Sequence, residues 1–387
     1  MKNVLLVFGG KSYEHDISVV TASQIYNRSK LLDVNLVLFY VSRDERFFIY
    51  TGKNLNIKEF SVTNFNEKNK NFKEVFFVTS EKNKIFIKSM FGLKEYMTAD
   101  FAIFACHGGN GENGRLVSFF ENFGIYSSAG SVYSLMATMN KWLFKQVMKG
   151  IKIPTVSGFK LTKNDYIKNY DSLKYRFKFM QFPVIIKTNN GGSSIGVFVA
   201  NHREEFEQNL NAAFEFDEEV LIEKFIAKTR EFNVAVIGDS KGIVVSDIDE
   251  PTKESDMLSF SDKYLSSSGN KSQKGGVKGG SMVGQARKFP ADISDELASK
   301  IKGYAEKIFK ELGLTGIVRI DFLYSKDTNK LFVCEVNSIP GSLAFYFFKE
   351  NKLRCDSLVY KLLNIAERNK ERANLFNKDF VTNVLDY

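Results

Sequence analysis

Short apolar runs that stop at glycines, each followed by a stretch of helical periodicity, organise the first third of the chain. Asn3 to Phe8 is apolar, ends at Gly9-Gly10 and gives way to a helical pattern around Ile17 to Ile25, which reads as strand, loop, helix. Val34 to Val41 and Phe101 to Ala105 read as further strands of an α/β unit. The second runs into the Gly-rich stretch His107-Gly108-Gly109-Asn110-Gly111-Glu112-Asn113-Gly114. In open α/β sheets ligands gather at such strand ends. Between these strands, residues 51–98 are rich in Lys and Asn, with short alternating segments at Glu74 to Val78 and Lys84 to Ser89 that read as a decorated edge.

A new unit opens near Gly130. The pattern predicts a helix over Val132 to Met148, then, beyond Ile153-Pro154, a strand, a polar helix and a strand at Pro183 to Lys187. After the loop Thr188 to Gly196 come a strand at Val197 to Val199, a helix at Arg203 to Phe214 and a strand at Val220 to Phe225. Glu231 to Ile237, Gly242 to Ile248, Thr315 to Tyr324 and Lys330 to Asn337 read as strands of a third unit that also holds a helix at Asp295 to Leu312. The divisions are a first domain over 1–129, a second over 130–221, a third over 222–365 and a charged tail over 366–387, helical from Ala366 to Asn377 and read as a solvated face. Ser, Gly and Lys dominate 264–289, which cannot bury apolar surface and reads as a mobile lid. A solvated insertion without a role is the alternative.

Composition narrows the class. A chain of 387 residues with 44% hydrophobic and 26% charged positions is an ordinary globular protein of two or three domains. Its net charge of +9 comes from lysines scattered along the whole length, without a basic block, so no nucleic-acid partner is expected. The three cysteines, Cys106, Cys334 and Cys355, lack CxxC spacing and are odd in number, which argues against a disulfide framework or a zinc site and for a reducing compartment. No signal peptide pattern and no long apolar run are present, so the expected location is the cytoplasm, with no membrane partner.

Candidate chemistry sits at four places. In Lys187-Thr188-Asn189-Asn190-Gly191-Gly192-Ser193-Ser194-Ile195-Gly196, glycines allow a close backbone whose N–H groups, with Lys187, suit phosphates. The Lys precedes the glycines, so this is not a Walker A loop, and a plain hairpin is the rival reading. Arg319-Ile320-Asp321 and Glu335-Val336-Asn337 project i and i+2 residues onto one face of their strands, where Asp, Glu and Asn are the hard oxygen donors that magnesium takes. The rival there is the solvent side of an antiparallel sheet. Val220 to Ile226, with Glu223 at its end and Glu231 beyond, suits an adenine and ribose site. Glu14 suits an ammonium group but also an ordinary helix start, and His107 suits a substrate contact or a loop hydrogen bond. There is no nucleophile elbow, HExxH, or GxGxxG opening the first helix, which removes hydrolase, zinc protease and conventional dehydrogenase readings.

In this order, GGKSYEHDIS, CHGGNGENG, the Lys141 segment, VIIKTNNGGSSIG, VLIEKFI, DKYLS, VRIDF and CEVNSIPGS resemble the ATP-grasp enzymes, and within them the D-alanine:D-alanine ligases of peptidoglycan synthesis. The resemblance covers most of the chain. It implies a three-domain α/β ATP-grasp architecture, with an N-terminal open α/β domain and two α+β domains enclosing ATP. It also implies a two-step reaction: the carboxylate of one D-alanine attacks the γ-phosphate of ATP, then the amine of a second attacks the acyl phosphate. Under it, Glu14 holds the first ammonium, with Ser193 and Tyr264 linking it to the lid and His107 near the first substrate. Lys141, Lys187, Ser193, Ser194 and Lys263 meet phosphates, and Glu223, Lys224, Phe225, Ile226 and Glu231 surround the adenosine. Asp321, Glu335 and Asn337 ligate two magnesium ions, with manganese able to substitute, and Arg319 with the Gly341 amide forms an oxyanion site. A homodimer is compatible with the resemblance. Many members carry a Ser-Leu pair after the Pro-Gly turn to grip the second substrate, whereas here Tyr346 takes that place. D-Ala-D-Ser or D-Ala-D-lactate products, or another carboxylate-amine ligation, are therefore the alternatives to D-alanyl-D-alanine.

Overall fold

The computed structural model describes residues 1–29, 33–251, 287–348 and 354–375, so Lys263, Tyr264 and nearly all of the expected lid lie outside it. Its first sheet has six strands in the order Phe72–Glu74, Phe47–Tyr50, Val34–Val41, Lys2–Gly9, Phe101–Phe104, Tyr126–Ser127, the last four of them parallel. The Lys2–Gly9 strand pairs with Val34–Val41 on one side and Phe101–Phe104 on the other, so the chain leaves it in both directions. That is the switch point at which an open α/β sheet leaves a crevice beyond its strand ends. The Glu14 and His107 loops form that crevice.

A second, antiparallel sheet runs Val197–Ala200, Val184–Thr188, Glu219–Lys224, Gly158–Thr162. A third, also antiparallel, runs Arg287–Lys288, Gly242–Pro251, Thr229–Asp239, Gly316–Ser325, Lys330–Asn337. Each sheet has its own apolar cluster. Phe206, Leu210 and Ile222 lie in the second, and Phe232, Val318 and Phe309 in the third. The first cluster extends from Leu5 and Phe39 to Leu343, Leu358 and Ala366, so it joins the first sheet to the C-terminal segments.

Two expectations need correction. The helix expected over Val132 to Met148 is two helices, Val132–Met139 and Lys141–Gly150, because Asn140 leaves helical geometry (φ −84°, ψ 104°) and its side chain caps Leu143 N–H. The same turn is tied to the phosphate-type loop: Lys141 N–H donates to Asn189 O (2.9 Å) and Trp142 N–H to Asn189 Oδ1 (2.8 Å). The strand expected at Glu74 to Val78 ends at Glu74, followed only by a bridge between Phe76 and Phe86. The helix expected from Ala366 is present as the second half of one helix, Cys355–Asn374, while residues 376–387 of the expected tail lie outside the described residues. That helix docks on the first sheet through Asn369 Nδ2 to Ser127 O (2.9 Å) and Lys370 to Asp100 (3.1 Å).

Candidate active site

Glu14 precedes the helix His15–Arg28 as its N-cap residue, yet its side chain makes no capping bond. Its carboxylate instead accepts from Ser193 Oγ across the crevice. Two glycines make room for it. A Cβ at Gly108 would come within 2.7 Å of Glu14 Oε2 and one at Gly192 within 2.8 Å, so a larger residue at either would displace the carboxylate. Ser193 and Ser194 sit in the left-handed region (φ 51° and 61°), an arrangement that costs L-residues about 1–2 kcal/mol each and is characteristic of functional loops.

One cavity is lined by Glu14, His107, Lys141, Ser193, Arg319, Glu335, Asn337 and Gly341, together with Glu112. Lys141 reaches the Gly191 carbonyl, and burial pushes its ammonium pKa down despite the nearby Glu335. Arg319 grips Asp321 in a two-pronged pair, Nε to Oδ1 and Nη2 to Oδ2, both at 2.7 Å. Both residues are only 6% exposed, which rules out the solvent-face reading. The strand register sets Asp321 opposite Glu335 and Arg319 opposite Asn337, and Asn337 Nδ2 donates to Asp321 Oδ2 (3.1 Å). Asn233, opposite Asp321 on the other side, donates its amide to Oδ1 (3.1 Å) in the orientation that satisfies both of its groups. Burial raises the Asp321 pKa; Arg319 opposes that and Glu335 adds to it.

Among the described residues no three His, Cys, Asp or Glu side chains converge as a metal cage. The Asp321, Glu335 and Asn337 set nevertheless fits magnesium, which takes one or two carboxylates and completes its shell with phosphate and water. The Asn337 N–H on Asp321 Oδ2 is the contact that a cation would replace.

A second cluster lies beside the first. Glu223 accepts from Lys187 (2.6 Å) through one oxygen and from Lys145 through the other, all within a buried pocket. Burial alone would raise the Glu223 pKa, but the two ammonium groups outweigh it and the net shift is downward. Lys224 is exposed, Phe225, Ile226 and Glu231 are half-buried, and Phe225 N–H donates to Pro183 O (3.2 Å). Burial pushes the neighbouring Cys334 thiol up to about 12, which leaves it protonated and unsuited to nucleophilic work.

His107 is a staple between loops. Its Nε2 meets Thr21 Oγ1 (2.8 Å), its N–H donates to Ser18 Oγ (2.8 Å) and its carbonyl accepts from Ser12 Oγ (2.6 Å). Thr21 Oγ1 in turn accepts Ser342 N–H (3.2 Å), just beyond Gly341. There the backbone turns left-handed at Ser342, Leu343 and Ala344 (φ 55°, 47° and 47°). Burial drives the His107 pKa down to about 4. The unfolded chain takes up that proton near pH 6.5 and the folded one only near 4, so stability is present above pH 6.5 and falls as pH drops through this window. The slope is at most about 1.4 kcal/mol per pH unit. Melting temperatures measured from pH 7 to 4 should fall less steeply for His107→Gln than for the natural chain.

Sequence reasoning missed Lys145, Glu112 and Asn233. Lys145 lies one turn after Lys141 on the same helix face, a spacing that was the available signal. Glu112 accepts Gly108 N–H (2.8 Å), and burial beside Glu14 pushes its pKa up to about 8.

Residues 3–129 match the family model described as D-ala D-ala ligase N-terminus and residues 147–364 the one described as D-ala D-ala ligase C-terminus. The chain is 34% identical over 366 residues to a D-alanine–D-alanine ligase of Thermosipho africanus, covering 95% of this chain and 93% of that one. The solved D-alanine–D-alanine ligase of Helicobacter pylori is similar at 26% identity and a TM-score of 0.69, over 95% of this chain and 98% of that one. The solved D-Ala:D-Ser ligase VanG of Enterococcus faecalis, at 24% identity and a TM-score of 0.74 over 94% and 99%, shares the fold.

Proposed function

The chain belongs to the D-alanine:D-alanine ligase family, and we propose that it joins two D-alanines at the expense of ATP through an acyl phosphate. The observation that carries this reading is the single cavity in which the Glu14–Ser193 pair faces Lys141, Arg319, Glu335 and Asn337. A carboxylate beside an anion-binding loop suits an amino acid whose ammonium pairs with Glu14 and whose carboxylate points at a phosphate.

In the first step a carboxylate oxygen of the bound D-alanine attacks the γ-phosphorus and ADP leaves. Lys141 and Lys187 neutralise phosphate oxygens, and Ser193 and Ser194 present loop groups to them. Glu223, Lys224, Phe225, Ile226 and Glu231 border the adenosine. Asp321, Glu335 and Asn337 would hold magnesium, which would supply charge neutralisation for the transferring phosphoryl group. In the second step the amine of another D-alanine attacks the acyl carbon, phosphate leaves and the amine loses a proton. Arg319 and Gly341 N–H stabilise the oxyanion. Tyr346, 6% exposed, supplies a hydroxyl donor for the acceptor carboxylate. Lys263 and Tyr264 belong to the same scheme and lie outside the described residues. No helix among the described residues is long and apolar enough to cross a membrane, and we place the reaction in the cytoplasm, with three domains as divided above.

The test is a competition: the protein with ATP, magnesium and equal D-alanine, D-serine and D-lactate, with products weighed by mass. The expected main product is D-alanyl-D-alanine. A D-Ala-D-Ser or D-Ala-D-lactate majority would reassign the second substrate.

A further inference from the structure

Beyond the Arg319 pair, the third sheet carries a second buried arginine–aspartate contact. Asp249 and Arg287 stand at the two edges of the interval 252–286, where Pro251 pairs with Arg287 and Glu250 with Lys288. Arg287 Nη1 lies 3.4 Å from Asp249 Oδ2, and the side chains are 16% and 3% exposed. The Arg287 guanidinium covers the Tyr346 ring at 4.8 Å from its centroid. Asp249 Oδ1 is buried without a hydrogen-bond partner among the described residues, and the buried Tyr346 Oη has the Arg287 guanidinium beside it but no acceptor for its own proton there. A buried hydroxyl whose proton has no acceptor is costly, so its persistence calls for an accepting ligand group.

Register shows how near this lies to the reacting centre. Asn233 is opposite Asp249 on one side and Asp321 on the other, and Asp321 is opposite Glu335, so Asp249, Asn233, Asp321 and Glu335 form one row across four strands. Strand spacing puts Asp249 and Asp321 about 10 Å apart. Arg319 and Arg287 both act on Tyr346 and on Asp249 electrostatically, with Asp321 and Glu231 as the opposing charges on Asp249.

We propose that the Asp249–Arg287 pair is a specificity element of the acceptor subsite: Arg287, held by Asp249, is a positioning residue that fixes the Tyr346 phenol so that its hydroxyl meets an α-carboxylate. Stacking on the ring face holds the plane of the phenol and the ion pair holds the guanidinium. The acceptor class is therefore a small amino acid with a free carboxylate. This deepens the ligase reading and rests on it.

The experiment measures phosphate release by the full chain with ATP and magnesium, resolving the KM values for ATP and for the first and second D-alanine. It is repeated with D-alaninamide as acceptor, whose carboxylate is neutralised. Arg287→Ala should raise the KM of the second D-alanine about 10- to 100-fold with little change in kcat, in the ATP KM or in the first-site KM. It should also erase most of the preference for D-alanine over the amide. Asp249→Asn should give a smaller change of the same kind, and Arg287→Lys should recover part of the loss. An unchanged acceptor KM and preference in Arg287→Ala would overturn the inference, as would an equal rise in all three KM values with a lowered melting temperature. A natural chain that releases no phosphate with D-alanine would instead overturn the ligase reading, and this inference with it.

Discussion

Arg319→Ala is expected to slow ATP-dependent phosphate release by about 10²–10³-fold, the usual cost of removing one oxyanion donor. It is also expected to lower the stability of the fold by about 3–5 kcal/mol, because it strands Asp321 in a buried site. Both effects have one structural origin. The guanidinium that faces the reacting centre is the same group that holds both oxygens of Asp321 at 2.7 Å, and both residues are nearly buried. Arg319→Lys separates the two, since an ammonium keeps the charge but cannot match the two-pronged geometry. Stability, read by thermal melting, should recover in part while the rate stays low. A rate close to that of the natural chain in Arg319→Ala would remove Arg319 from the chemistry.

Glu223→Ala is the second large effect. Glu223 stands between two buried ammonium groups, Lys187 and Lys145, and its loss leaves them facing each other in low dielectric. Breaking such a pair costs about 3–5 kcal/mol in ordinary cases. The variant should melt well below the natural chain. ATP should reverse much of this, because phosphate oxygens replace the missing carboxylate and binding to the folded state alone adds stability. Melting with and without saturating ATP and magnesium checks the point: the ATP-induced rise should be larger in the variant, and an equal rise in both would show that the lysines do not meet the nucleotide.

Much of this is legible in the sequence alone, and the reason is local geometry. Arg319 with Asp321, and Glu335 with Asn337, could be paired on one face because a strand alternates its side chains with period two. The Lys330–Asn337 strand appears with the expected limits for the same reason. What could not be read depended on contacts between distant segments. Asn140 looks like any polar residue in a helical pattern until its side chain is seen capping Leu143, which splits the helix and aims Lys141 at the loop. Lys145 would ordinarily be a solvated helix lysine, and only Glu223, many residues away, makes it part of a site. The C-terminal helix shows a charged face from Glu367 to Lys370 that reads as solvated, but those charges meet Lys2, Asp239 and Asp100 on other elements. Asp249 and Arg287 share a cluster with Tyr346 through the ladder at Pro251, a pairing that no spacing in the chain announces.

Transfer of oxygen from amino acid to phosphate reports on the acyl phosphate itself. With D-alanine labelled by ¹⁸O in its carboxylate, ATP and magnesium, the inorganic phosphate released should carry one ¹⁸O for each D-alanyl-D-alanine formed. Phosphate released without label, or no phosphate released with any D-amino acid, would contradict the assignment of this cavity to carboxylate activation.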